Sequence, residues 1–235
     1  MEKVDFLAFG AHPDDIECGI GGTIAKLTRL GYKVGLVDLT LGEMATNGTI
    51  EQRQDEAYKA MEILGASFRI NLEIPDRGIN LTPENIEKVV EILRKAQPKV
   101  IAAPYWVDRH PDHERAGSLV KEGFFSAGLN KVLPEIKPIK RPEKYLRYFL
   151  TISATPSFVV DVTEYYSIKK RAVLAHVSQF AHRPEFSQTF LNEGQFLGRI
   201  ESRDLFFGAQ IGKRYGEGFV LQEFLELEHP LVLIK

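Results

Sequence analysis

The sequence predicts an α/β fold, a Rossmann-like, doubly wound, mostly parallel sheet with an additional C-terminal α+β portion. Three observations lead there. Through roughly residue 130, short apolar runs alternate with segments of helical period. Helix stops fall between them, at Gly31, Gly65 and Pro98. Two polar clusters follow the first and fourth apolar runs, where ligands bind an open parallel sheet beyond the carboxyl ends of its strands.

Residues 4–9 read as a first buried strand, and residues 21–30 as a helix ended by Gly31. Residues 33–39 are the second strand. Ala57, Ala60, Met61 and Leu64 recur at i, i+3, i+4 and i+7, an amphipathic helix closed by Gly65. Residues 68–74 are the third strand. Thr82 supplies an N-cap and Pro83 the first helical position, and Ile86, Val89, Val90 and Leu93 carry the apolar stripe. The fourth strand covers residues 99–103. Pro134, Pro138 and Pro142 among several lysines mark residues 131–144 as a surface loop within one domain, residues 1–235. Beyond it the expected elements are strands near 149–153 and 158–162, a helix from about Glu164, a helical stretch near 188–207 and a final strand at 219–224.

Composition narrows the partners. With 30 basic and 32 acidic residues the formal net charge is −2, so nothing calls for nucleic acid or an anionic membrane, and a small molecule is the expected ligand. MEKVDFLAFG lacks the layout of a signal peptide and no apolar run approaches a membrane span, which predicts a cytoplasmic location. A single cysteine, Cys18, excludes intramolecular disulfides and a Cys-rich zinc module. It reads as a small buried residue.

The first cluster lies in AFGAHPDDIECGIGG, residues 8–22, with His12, Asp14 and Asp15 in the turn leaving the first strand. Adjacent carboxylates repel, so a fold that gathers them needs positive charge beside them. The second cluster is Asp108-Arg109-His110-Pro111-Asp112-His113, after the fourth strand. If strands one and four are neighbours at the switch point, the two clusters share one crevice. Two histidines and a carboxylate around an open position are a typical donor set for a catalytic divalent metal. Neighbouring side chains diverge, so one of the two aspartates is a ligand and the other is free to act on water. Taken singly, each residue also has a plainer reading: Asp14 or Asp15 as a helix cap, His110 or His113 as a polar residue at a helix start, Arg53 as a solvated helix residue. His176 and His182 read as structural or rim residues.

The pairing of A-H-P-D-D with a downstream H-P-D-H resembles the signature of the PIG-L, or LmbE-like, family of metal-dependent N-acetylglucosamine deacetylases. The resemblance extends to Gly42-Glu43, Arg53-x-x-Glu56 and the later Ala175-His176-Val177-Ser178-Gln179. Within the family the wording is most similar to the bacillithiol-biosynthesis deacetylases, which act on N-acetylglucosaminyl malate. The resemblance implies that His12, Asp15 and His113 hold Zn2+, with Fe2+ or another divalent ion as alternatives, and that Asp14 is the general base. It implies that His110 stabilises the oxyanion or protonates the leaving amine, oriented by Asp112, and that Arg53 binds substrate. Ile16-Glu17 replaces the more usual acidic residue directly after the two aspartates, which leaves Glu17 without a role. A small N-acetylated glucosaminide is then the substrate, an N-acetylglucosaminyl malate, another N-acetylglucosaminide or a chitooligosaccharide, and a homo-oligomer, with a hexamer among the candidates, the assembly.

Two other classes compete. A nucleotide-binding protein on a Rossmann-like sheet is suggested by Gly19, Gly21 and Gly22 after strand one and Asp38 at the end of strand two. The full G-x-G-x-x-G spacing is absent, and two carboxylates occupy the turn where a pyrophosphate would sit. A non-catalytic metal-binding protein would require a closed site with no base beside it.

Overall fold

The computed structural model describes residues 1–233. One seven-stranded sheet runs in the order β3-β2-β1-β4-β5-β7-β6. Its strands are β1 (Phe6–Gly10), β2 (Val34–Asp38), β3 (Phe68–Asn71), β4 (Val100–Pro104), β5 (Lys144–Tyr148), β6 (Phe158–Asp161) and β7 (Gly216–Leu221). The five strands from β3 to β5 are parallel, while β7 pairs antiparallel with both β5 and β6. The helices are α1 (Asp15–Arg29), α2 (Ile50–Leu64), α3 (Pro83–Ala96), α4 (Pro111–Ser126), α5 (Tyr166–Leu174), α6 (Val177–Phe180) and α7 (Gln195–Gln210).

β1 and β2 are buried along their whole length because helices cover both faces of the sheet, and this is why they read as continuous apolar runs. Phe6 and Ala8 face one core layer, with Ile20 and Ile24 of α1 and Ala172 of α5. Leu7 and Phe9 face the other, with Val89 and Leu93 of α3 and Leu119 of α4. β1 pairs in parallel with both β2 and β4, so the strand order reverses there and the turns after β1 and β4 open on the same crevice.

Several elements differ from the sequence reading: α1 starts at Asp15 rather than near 21, and β3 ends at Asn71 rather than 74. β5 ends at Tyr148, and the expected strand at 149–153 is instead the loop beyond it. Phe149 and Leu150 are buried and so mimic a strand, but the amide and hydroxyl of Thr151 leave the ladder for the carboxylate of Asp108. The last long helix starts at Gln195 rather than near 188, because Gly194 takes a left-handed conformation with φ 83 ahead of it. The final strand is shifted to Gly216–Leu221 by its two antiparallel partners.

α1 starts at Asp15, inside the first polar cluster, and kinks at Ile20 with φ −138 and ψ 22. The kink frees two amides. Glu217 of β7 accepts them, Gly22 N at 2.9 Å and Thr23 N at 2.6 Å. The same carboxylate pairs at 2.6 Å with Lys169 of α5, whose ammonium also binds Asp204 of α7 at 2.6 Å. The glycines here serve packing: a Cβ on Gly19 would lie 2.3 Å from the ring of Tyr148, and one on Gly22 2.8 Å from Val162. Asp38, the other feature of a nucleotide fold, is held by Arg69 through bonds of 2.6 and 2.8 Å.

Glu217→Ala removes the cap of the kink and leaves the buried Lys169 with one carboxylate partner, Asp204. It is expected to cost about 3–5 kcal/mol, as breaking a buried charge pair does. Urea unfolding followed by circular dichroism measures it, and a loss below about 1 kcal/mol, the scale of an exposed pair, would contradict this role.

Candidate active site

The turn from β1 into α1 is strained at its first aspartate. Asp14 has φ 137 and ψ −24, a left-handed conformation that costs a non-glycine residue about 1–3 kcal/mol. Asp14 stands at the N-cap position yet makes no side-chain cap bond, which removes the capping explanation. Arg53 of α2 holds the turn. Its Nη2 donates to Pro13 O at 3.0 Å and lies 3.4 Å from Asp14 Oδ2, while its Nη1 donates to Gly42 O at 2.6 Å. Gly42, with φ 68, is required for that approach, since a Cβ there would lie 1.9 Å from Arg53 Nη1. Arg53 is buried, which rules out the solvated-helix reading.

Asp15 points the other way. Its Oδ2 accepts the His12 amide at 2.9 Å and lies 3.4 Å from His12 Nδ1, and its Oδ1 lies 3.1 Å from His113 Nε2. Each imidazole has an outer carboxylate on its far nitrogen. His113 Nδ1 meets Asp108 at 2.8 Å; His12 Nε2 faces Asp76 at 3.4 Å and Asp112 at 3.6 Å. Such carboxylates fix ring orientation and leave the inner nitrogens for a metal. His12, His110 and His113 offer nitrogens within 4.8 Å of one another, and His12, Asp76 and Asp112 form a second group at the same spacing.

Burial acts against charge on His113, but Asp15 and Asp108 outweigh it and lift its pKa to about 9. His12 is likewise raised by Asp112, Asp15 and Asp76 against the effect of burial. Burial raises Asp14 to about 6, partly offset by the Arg53 guanidinium. These buried carboxylates demand compensating positive charge. Two imidazoles with inward nitrogens around one carboxylate fit a divalent cation of the zinc type, which takes nitrogen and carboxylate oxygen together.

His110 combines both of its sequence readings. Its Nδ1 accepts the Asp112 amide at 3.2 Å as the N-cap of α4, which leaves the proton of the neutral ring on Nε2. Burial and the charge on His12 and His113 lower its pKa, which favours the neutral ring. The expected orientation of His110 by Asp112 therefore comes from the Asp112 amide. The Asp112 carboxylate instead faces His12 and accepts from the Arg77 amide at 3.0 Å.

These side chains line a cleft of about 330 Å³ that also contains Met44, Arg77, Arg109, Gln179, Phe180 and Phe190. Its far wall is pinned by Asn47, whose side chain exchanges hydrogen bonds with Ser187 at 2.8 and 2.9 Å. Glu56, four-residue partner of Gln52 on α2, accepts the amide and hydroxyl of Ser178 at 2.8 and 2.7 Å, so the late motif docks on the early one.

All seven residues expected at the site lie at this crevice. Asp108 was visible in the cluster, but its service to His113 depends on the loop after β5. Asp76 had no signal, being brought in by the loop between β3 and α3. Glu17 lies beneath the site, paired with Arg69 at 2.5 Å, with His176 Nε2 at 3.5 Å.

The sequence profile of the PIG-L family, GlcNAc-PI de-N-acetylase, matches residues 7–124. The chain belongs to this family. It is 32% identical over 234 residues to the diacetylchitobiose deacetylase of Thermococcus kodakarensis, covering 94% of this chain and 85% of that protein. A probable N-acetyl-alpha-D-glucosaminyl L-malate deacetylase 2 of Bacillus cereus is 27% identical over 192 residues, 76% of this chain and 84% of that one. The solved structure of the conserved protein TT1542 from Thermus thermophilus superposes with a TM-score of 0.86 at 36% identity, covering 95% of this chain and 97% of that chain. No described helix is long and apolar enough to cross a membrane.

His12→Ala, Asp15→Ala and His113→Ala are each expected to lose zinc on dialysis. Asp108→Asn, which only loosens His113, should weaken zinc about 10–100-fold. Competition with a chromophoric chelator gives the affinities; full zinc occupancy in all three alanine variants would contradict the ligand set.

Proposed function

We propose that this PIG-L family protein is a metal-dependent N-deacetylase that hydrolyses the acetamide of an N-acetylglucosamine derivative, with His12, Asp15 and His113 as metal ligands and Asp14 as general base. The observation that carries the reading is the divergence of the two adjacent aspartates. Asp15 lies between the two imidazoles, and Asp14 stands beside them on Arg53.

The chemistry a divalent ion supplies when held there is Lewis acidity toward the amide carbonyl and acidification of water. Asp14 takes the proton of the attacking water as the new C–O bond forms. Its carboxylate is suited to this because burial raises its pKa to about 6, nearer the working pH than an exposed aspartate. His110 is neutral and presents Nε2–H to the oxygen that gains charge. The C–N bond then breaks as the proton held by Asp14 passes to the nitrogen, giving the free amine and acetate. Arg53 lines the cleft and we assign it to substrate binding as well as to holding the Asp14 turn.

For the aglycone, N-acetylglucosaminyl malate of the bacillithiol route is the proposed substrate. The second reading, diacetylchitobiose, is favoured by the 32% identity to the Thermococcus enzyme across nearly the whole chain. We further propose a single domain, a cytoplasmic location and a homo-oligomeric assembly.

Asp14→Asn keeps the size of the side chain and cannot accept a proton. It is expected to retain zinc and to lower kcat by about 10²–10⁴, the usual worth of a positioned base. Acetate release from N-acetylglucosaminyl malate, measured beside zinc stoichiometry on the same preparation, checks this. A variant of near-normal rate, or one that loses metal as Asp15→Asn should, would show that the two roles are wrongly assigned.

A further inference from the structure

Three arginines line the cleft, and two have their charge engaged. Arg53 donates to two backbone carbonyls and sits on Asp14. Arg77 lies 3.4 Å from the Asp112 carboxylate. Arg109 alone has no carboxylate partner among the described residues. It directly follows Asp108, the residue that holds His113, and its Cζ lies 3.9 Å from the centre of the Phe190 ring. Arg199 approaches the same ring at 5.1 Å.

Stacking on an aromatic ring occupies the face of a guanidinium and leaves its in-plane N–H groups free. Those groups form a fork that matches a carboxylate bidentately. Phe190 belongs to the segment 188–194, ahead of α7, whose Thr189 and Leu191 also line the cleft. The stack therefore joins the second polar cluster to the far wall and leaves at the cleft an arginine charge without a carboxylate partner.

We propose that Arg109, laid on Phe190, is the specificity-determining residue of the cleft and binds a carboxylate carried by the aglycone. This rests on the deacetylase reading for its chemistry, and it predicts an acidic glycoside rather than a neutral chitooligosaccharide. A neutral sugar in that position would leave the guanidinium without an acceptor, whereas a carboxylate gains charge-assisted hydrogen bonds.

The test compares three glycosides of the same N-acetylated sugar, carrying malate, ethyl phosphate or methyl, on wild type, Arg109→Gln, Arg109→Lys and Phe190→Leu. Acetate release gives kcat and KM, and calorimetry gives Kd independently of turnover. Arg109→Gln is expected to raise KM and Kd for the malate glycoside by about 10–100-fold, mostly without a fall in kcat, and to affect the methyl glycoside far less. Arg109→Lys should restore part of the loss, and Phe190→Leu should act in the same direction as Arg109→Gln. Equal losses on all three glycosides would make Arg109 a prop for the 188–194 segment and overturn the proposal. A loss confined to the phosphate glycoside would overturn the carboxylate assignment. If wild type releases acetate from none of them, the deacetylase reading fails, while the Kd comparison still decides the role of Arg109.

Discussion

The structure depends on the concentration of negative charge in one buried turn. Asp14 and Asp15 are consecutive and both buried, and Asp76, Asp108 and Asp112 close around the same two imidazoles. Such a group of carboxylates holds together only with positive charge inside it. The fold supplies part of this as Arg53 beside Asp14 and Arg77 beside Asp112, and the histidines supply the rest when protonated. A divalent cation held by the inner nitrogens and Asp15 would meet the same demand, and it would also convert a costly arrangement into a reactive one.

The surroundings are arranged to keep that turn in place. α1 carries Asp15 in its first turn, and its kink is capped by Glu217 of β7, with Lys169 and Asp204 completing the buried pairings. Arg203 ties α7 to the same helix by donating to Cys18 O at 2.6 Å. The strain at Asp14 is thus opposed by contacts from α2, α5, α7 and β7. Because these elements are distant in sequence, the late part of the chain is as necessary to the site as the motif itself.

Much of this was legible from residue order. The alternating βα pattern predicted the first four parallel strands and α3 with its Thr82 cap, because local periodicity and capping chemistry decide those elements. The two polar clusters implied a shared crevice, since β1 and β4 meet at the reversal of strand order. What stayed illegible depends on long-range pairing. The antiparallel insertion of β7 between β5 and β6 has no local signature, and Phe149 and Leu150 are apolar for core packing, so they resembled a strand. Asp76 and the outward carboxylate of Asp112 are second partners of the histidines, and only the folded loops reveal which nitrogen each one faces. The segment 188–194 read as helix from composition, although Gly194 holds it open as part of the cleft wall.

The most direct test of the central claim is to locate the metal, because His12 offers one nitrogen to Asp15 and the other to Asp76 and Asp112. Crystals grown with zinc, measured on both sides of the zinc absorption edge, give an anomalous difference map that resolves the choice. The account predicts one peak bonded to His12, Asp15 and His113 at about 2.0–2.2 Å, the usual zinc–nitrogen and zinc–carboxylate distances, with Asp14 beside it and outside its coordination. A peak between His12, Asp76 and Asp112, or direct coordination by Asp14, would contradict it.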